Sequence, residues 1–123
     1  MSNLVHMFNA EVATRFGVDQ AIILHHIAFW VKKNKDNNKH NRDGYYWTYN
    51  SYEAFAKQLH YWSPRKIRGI ISKLEDIGVI KSNNFNSKNY DKTKWYTVTD
   101  KLVIDQYDLS YSEIKNPCDE TVT

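Results

Sequence analysis

The sequence holds a single cysteine, Cys118, among 123 residues, so no disulfide closes within it and no C-x-x-C zinc pair exists. Its four glycines stand apart, which excludes a glycine loop that cradles phosphate. No apolar run is long enough to span a membrane. The opening, MSNLVHMFNAEV, lacks a basic segment followed by an apolar one, so no secretory signal is read. With one lone thiol, a cytoplasmic protein is the expectation. No internal repeat is visible.

What is present suits one folded domain. Hydrophobic residues make up 41% and aromatic residues 15%, enough to fill one core at this length. The formal net charge is only +3, but it is unevenly spread. Residues 60–95 hold eight Lys/Arg and three Asp/Glu, and residues 32–44 hold five and two. Residues 100–123 reverse the balance, with two and six. A basic middle and an acidic end point either to a polyanionic partner for the middle or to a solvated charged surface.

The first strong element is DQAIILHHIAFWVKKN, residues 19–34. Ile23, Leu24, Ile27, Trp30 and Val31 share one helical face, Asp19 is the expected cap, and Lys32 and Lys33 suit the helix end. The far face carries Ile22 and Phe29, flanked by His25 and His26. A helix apolar nearly all round is deeply buried or has a second partner, and these four residues are the candidate dimer or partner interface. NKDNNKHNRDG, residues 34–44, reads as a polar loop, and YYWTY, residues 45–49, as a short strand whose aromatics Tyr45, Tyr46, Trp47 and Tyr49 either stack on nucleobases, as in single-strand binders, or belong to the core or a sheet face, the reading favoured for most of them. Asn50 is the expected cap of a second helix, with Glu53 at the reciprocal position.

SPRKIRGIISKLEDIG, residues 63–78, reads as a third helix. Ser63 suits the cap, Pro64 the first helical position and Gly78 the position past the end. Ile67, Ile70, Ile71, Leu74 and Ile77 form one apolar stripe. At 100° per residue, Arg65, Gly69, Ser72 and Asp76 lie opposite it, with Lys66, Arg68 and Lys73 on its flanks. An interior helical glycine costs about 1 kcal/mol relative to alanine, so Gly69 suggests close approach to another surface. Residues 79–85 and 95–99 read as strands of a hairpin whose basic tip carries Lys88, Lys92 and Lys94. KLVIDQY suggests one further short helix.

The expected fold is therefore α+β, a winged helix-turn-helix with a three-helix core, a short strand and a hairpin wing. It occupies residues 1–109, and residues 110–123 form an acidic, loosely ordered tail. In such a module the last helix of the pair enters the DNA major groove. Arg65 and Arg68 are then placed for base edges, and Lys66, Lys73, Lys88, Lys92 and Lys94 for phosphates.

The runs FNAEVATRFGVDQAIILHHIAFWV, YYWTYNSYEAFAKQLHYWSPRKIRGIISKLEDIGVIK and NYDKTKWYTV resemble the N-terminal winged-helix domain of phage and plasmid replication proteins of Gram-positive bacteria. These are the replisome organisers or DnaD-like initiators. The resemblance covers roughly residues 8–100. Its most distinctive pieces are Trp47 to Ser51, Leu74 to Ile80 and Tyr90 to Tyr96. It implies double-stranded origin DNA as ligand, self-association, and recruitment of host helicase-loading factors. Members of that family commonly continue into a second domain, whereas this sequence runs into an acidic stretch. The rival expectation is a small phage-borne regulator or inhibitor of a host nuclease or replication factor, whose acidic end mimics nucleic acid.

No catalytic constellation is read. His25 and His26 are adjacent and diverge on a helix, and His6, His40 and His60 are isolated in sequence. Asp100, Asp105 and Asp108 read as solvated acids rather than metal ligands, and Cys118 as an inert thiol. Neither a metal nor a cofactor is expected.

Overall fold

The computed structural model describes residues 5–110, so the acidic tail beyond Ser110 and Cys118 lie outside the described residues. The described residues form a mixed α+β fold with several helices and two small antiparallel sheets. A helix not expected from the sequence comes first. Helix α1 spans Ala10–Phe16, and the Asn9 side chain caps it by accepting from the Val12 N–H at 3.0 Å. Gly17 then turns the chain at φ 100°, and a Cβ there would lie 2.6 Å from the Gln20 side chain.

Helix α2 follows at once, Val18–Asp36. Gly17 is its N-cap and supplies no side-chain bond, so Asp19 is not the cap. The Asp19 carboxylate instead reaches Lys66 at 3.3 Å. Ile23, Leu24, Ile27 and Val31 are fully buried, as the apolar period requires, whereas Trp30, expected on the same face, is only partly buried and lies edge-on to Phe29. The helix extends past the apolar pattern, helped by a Lys32–Asp36 pair one turn apart at 3.4 Å.

The segment read as a polar loop is thus partly helix and partly ribbon. Strand β1, Asn41–Arg42, pairs with β2, Tyr45–Tyr46, around Asp43 and Gly44, whose φ values of 55° and 82° suit a tight hairpin turn. YYWTY is not one strand. The chain breaks at Trp47, which is fully buried, and β3 begins at Thr48 and ends at Asn50. Asn50 sits in the ladder opposite Lys94, so the cap of α3, Tyr52–Gln58, moves on to Ser51. Its hydroxyl accepts from the Ala54 N–H at 3.0 Å.

A tight turn leads to α4, Pro64–Asp76, capped by Ser63 as expected, with the hydroxyl accepting from the Lys66 N–H at 3.2 Å. Ile67, Ile70, Ile71 and Leu74 fill the core. Ile77 does not join them and is 52% exposed. The helix ends at that residue, Gly78 turns with φ 78°, and the Val79 N–H returns to the Leu74 carbonyl at 3.0 Å. Val79 and Ile80, beyond the turn, are buried in the core instead.

Strands β4, Ile80–Asn83, and β5, Lys94–Val98, complete a three-stranded antiparallel sheet in the order β3-β5-β4. Tyr96 and Val98 of β5 face the helices and are fully buried. Helix α5, Lys101–Gln106, is capped by Asp100 and followed by the buried Leu109. Among the described residues no helix is long and apolar enough to cross a membrane.

Two glycine substitutions are expected to move stability in opposite directions. Neither Gly69 nor Gly78 has any atom within 4 Å of an added Cβ, so backbone preference alone decides. Gly78→Ala forces a left-handed residue and should cost about 1 kcal/mol, whereas Gly69→Ala, in a helix interior, should gain about that amount. Urea midpoints read both; equal shifts of one sign would show that the turn or the helix rearranges.

Candidate nucleic-acid interface

The buried isoleucines of α4 fix its rotation, and the remaining positions follow. Arg65, Lys66, Arg68, Gly69, Ser72 and Lys73 are all exposed. Among the described residues, Arg65, Arg68 and Lys73 form no ion pair. Lys66 does, with Asp19, but both side chains are about half exposed, at 50% and 45%, and such a pair is weak in water. A shallow depression lined by Asp19, Gln20, Arg65, Lys66, Gly69 and Ile70 lies where α2 begins beside α4.

The turn before α4 settles two aromatic residues. Trp62 packs partly against the core, while Tyr61 stays 49% exposed and donates to or accepts from His6 Nδ1 at 3.1 Å. The hairpin loop, residues 84–93, is organised around Asn86. Its side-chain oxygen accepts from the Trp95 indole at 2.8 Å, and its amide donates to the carbonyls of Thr93 at 2.8 Å and Asp91 at 3.0 Å. Lys88 and Lys92 are exposed on this loop, Lys88 with its ammonium 5.7 Å from the Tyr90 ring.

Lys94 has a different setting from the other two. It bonds Glu75 of α4 at 3.2 Å, and Ser82 donates to the same carboxylate. Burial alone would lower the Lys94 pKa; the Glu75 carboxylate outweighs it and raises it. Lys94 therefore clamps the hairpin base to α4, while Lys88 and Lys92 sit on the open loop. Lys81, on the exposed side of β4, adds a cation that the sequence pattern did not single out.

The far face of α2 has partners within the chain. His25 Nδ1 lies 2.7 Å from the Tyr107 hydroxyl, which follows α5, and His26 stands edge-on to Phe55 at 5.4 Å. Burial lowers the pKa of both histidines and pushes the Tyr107 phenol up to about 12. Ile22 packs partly against the core. Phe29 alone of the four is largely exposed, at 52%. A groove of about 390 Å³ runs past them, walled also by Val5, Met7 and Trp30.

The aspartates read as solvated acids are each engaged. Asp100 caps α5, Asp105 meets Lys101 at 3.1 Å, and Asp108 meets Lys32 at 3.4 Å. Among the described residues no group of three or more His, Cys, Asp or Glu is arranged to hold a metal ion.

A set of residues that the sequence reading did not bring together also converges. His40, Arg42, Tyr49, Phe85 and Trp95 line one cleft beside the hairpin loop. They come from four separate segments, so no spacing rule in the sequence joins them. No protein-family model matches the chain, and neither a curated protein nor a solved structure matches it.

Proposed function

We propose that this chain is a winged-helix DNA-binding protein that acts at a replication origin, as the resemblance to phage and plasmid initiators implies. The observation that carries the reading is the exposed face of α4. Arg65, Arg68 and Lys73 surround an uncovered Gly69, on a helix locked from behind by its isoleucines. The hairpin with Lys88 and Lys92 is tied to the same helix through Glu75 and serves as the wing. The element order helix, strand, helix, turn, helix, hairpin supports the same assignment. Self-association through Ile22, His25, His26 and Phe29 belongs to the proposal, with Phe29 as its exposed anchor.

Fluorescence anisotropy against random duplex and origin-type fragments tests it. Affinity should fall steeply with salt, because each neutralised phosphate releases counterions. Arg68→Ala should relax base preference by roughly tenfold, while Lys92→Ala should weaken all sequences alike and reduce the salt slope by about one. Identical losses from both variants would sink this division of roles.

The rival reading, an inhibitor of a host protein, is favoured by the exposed apolar residues Val5, Met7 and Phe29 beside the α2 groove. It predicts negligible duplex binding and a stable complex with a protein partner. Charge reversal at Asp105 and Asp108 would then harm binding more than reversal at Lys92.

A further inference from the structure

We propose that the sheet face turned away from the helices is a second nucleic-acid site, which stacks the unpaired bases of a single strand. It shares no residue with the face of α4, although the loop that serves as the wing in the duplex-binding reading borders it.

The site follows from strand register. Along β5, Tyr96 and Val98 point into the core, so Trp95 and Thr97 point to the opposite face; Thr97 is covered there and donates to the Tyr46 carbonyl, which leaves the end of that face at Trp95 as the site. Tyr49 of β3 is the direct partner of Trp95, and their rings lie 4.7 Å apart with a 42° tilt. His40 closes on both, its ring 5.1 Å from Trp95 and 5.5 Å from Tyr49. Phe85 of the hairpin loop adds a fourth ring, 5.6 Å from Trp95, and the Arg42 guanidinium lies 5.3 Å from that ring.

A cluster of this kind could serve merely as a small core under the hairpin. Its exposure argues against that as its whole role. Trp95 is 8% exposed and is held by Asn86, as a core residue would be, but Tyr49 is 50% exposed on a strand in the sheet. Between them the residues border an open cleft of about 450 Å³. Tyr49 is thus the open ring at the edge of a packed aromatic cluster, beside partly buried His40 and Phe85, and a ring held open by such support is placed for contact.

The rim identifies the ligand. Arg42 is exposed, and Lys39 lies beside His40 in the basic run of residues 32–44. Burial lowers the His40 pKa first, and the nearby charges of Lys39 and Arg42 lower it further, so both cations lie within electrostatic reach of the ring. The second basic stretch of the sequence thereby borders the aromatic face from one side, and the loop carrying Lys88 and Lys92 borders it from the other. Asp91 is the one carboxylate among the cleft residues, and it accepts from the Thr93 N–H at 3.1 Å. Aromatic faces within a cationic border fit a polyanion that also offers flat rings, and only a single strand has its bases free to stack. A duplex presents phosphates and groove edges instead.

The test uses the whole chain and labelled oligo-dT of about 15 nucleotides, a length in the range single-strand sites cover. The wild type should bind with quenching of tryptophan emission. Tyr49→Thr, which keeps a strand-forming residue but removes the ring, should weaken that binding roughly tenfold and leave duplex affinity unchanged. Tyr49→Phe should bind like the wild type. Arg42→Gln, on the exposed ribbon, should weaken binding and flatten its salt dependence, and it serves should Tyr49→Thr fail to fold. A matched RNA oligomer distinguishes the sugar the site prefers. No single-strand binding, wild-type affinity in Tyr49→Thr, or equal loss for single strand and duplex would overturn the site. Arg68→Ala in the same assay separates this failure from failure of the duplex reading.

Discussion

Trp47→Ala is expected to lower the folding free energy by about 3–5 kcal/mol, the range for removing a large buried aromatic residue. Small domains have roughly 5–15 kcal/mol in total, so the variant should be partly unfolded at room temperature or close to it. The size of the effect comes from how many segments meet at this residue. The indole is fully buried and packs edge-on against Phe85 at 4.8 Å and Tyr45 at 6.2 Å. Its N–H donates to the Arg42 carbonyl at 2.9 Å. The Trp47 backbone receives the Asn34 amide at 2.8 Å and gives its own N–H to His40 at 3.1 Å. Removing the ring leaves the β1–β2 ribbon and the hairpin loop without their common contact, while the backbone bonds to Asn34 and His40 remain. Urea denaturation followed by circular dichroism measures the loss. A cost below about 1 kcal/mol would mean that the ribbon collapses into the space and replaces the ring.

The second large effect is on pH dependence. His26 is expected to make stability fall by about 3 kcal/mol as pH drops from about 6.5 to about 4. Its pKa is lowered to about 4, chiefly by burial and further by the charges of His6 and His25. Its Nε2 is buried without a hydrogen-bond partner among the described residues, so a proton there would have no acceptor. Between those two pH values the unfolded chain takes up a proton that the folded chain refuses. The stabilisation is therefore complete above the unfolded pKa and lost on descent to the folded one. His25, lowered in the same sense by burial, adds to the trend. Carboxylates titrate in the same window, so the informative quantity is the difference between wild type and His26→Gln at each pH. That difference should change by a few kcal/mol across the window. Parallel stability curves would show that His26 accepts its proton without unfolding the site.

These two residues show how far the sequence carries. The stripe of α4 could be read because its period, its serine cap and its proline agree, and agreement between local signals is what makes a segment legible. Its exposed basic face followed from the same period. Helix α1 was missed because it is short and only Gly17 separates it from α2. The cap of α3 shifted by one residue because Asn50 was already committed to the ladder with β5, a long-range pairing that capping preferences do not contain. Ile77 was read as core because the stripe was carried onto the cap residue before Gly78, where the helix has already ended and the side chain turns outward. The convergence of the aromatic cleft, beyond Tyr49 itself, was not legible for a stronger reason. Tyr49 and Trp95 become neighbours only through strand pairing, and His40, Arg42 and Phe85 only through the folding of two loops around them.

The order β3-β5-β4 has a further consequence for the growing chain. The strand at the centre of the sheet is the last of the three to leave the ribosome. Until Lys94–Val98 has emerged, β3 and β4 have no partner in the sheet, although α2, α3 and α4 are already available to pack. Helices therefore assemble first during synthesis, and two unpaired strand edges wait in the nascent chain. Insertion of β5 gives β3 and β4 each a partner on the inner edge in a single step, leaving only their outer edges unpaired, so the interval before it is when the strands are most open to pairing with a neighbour.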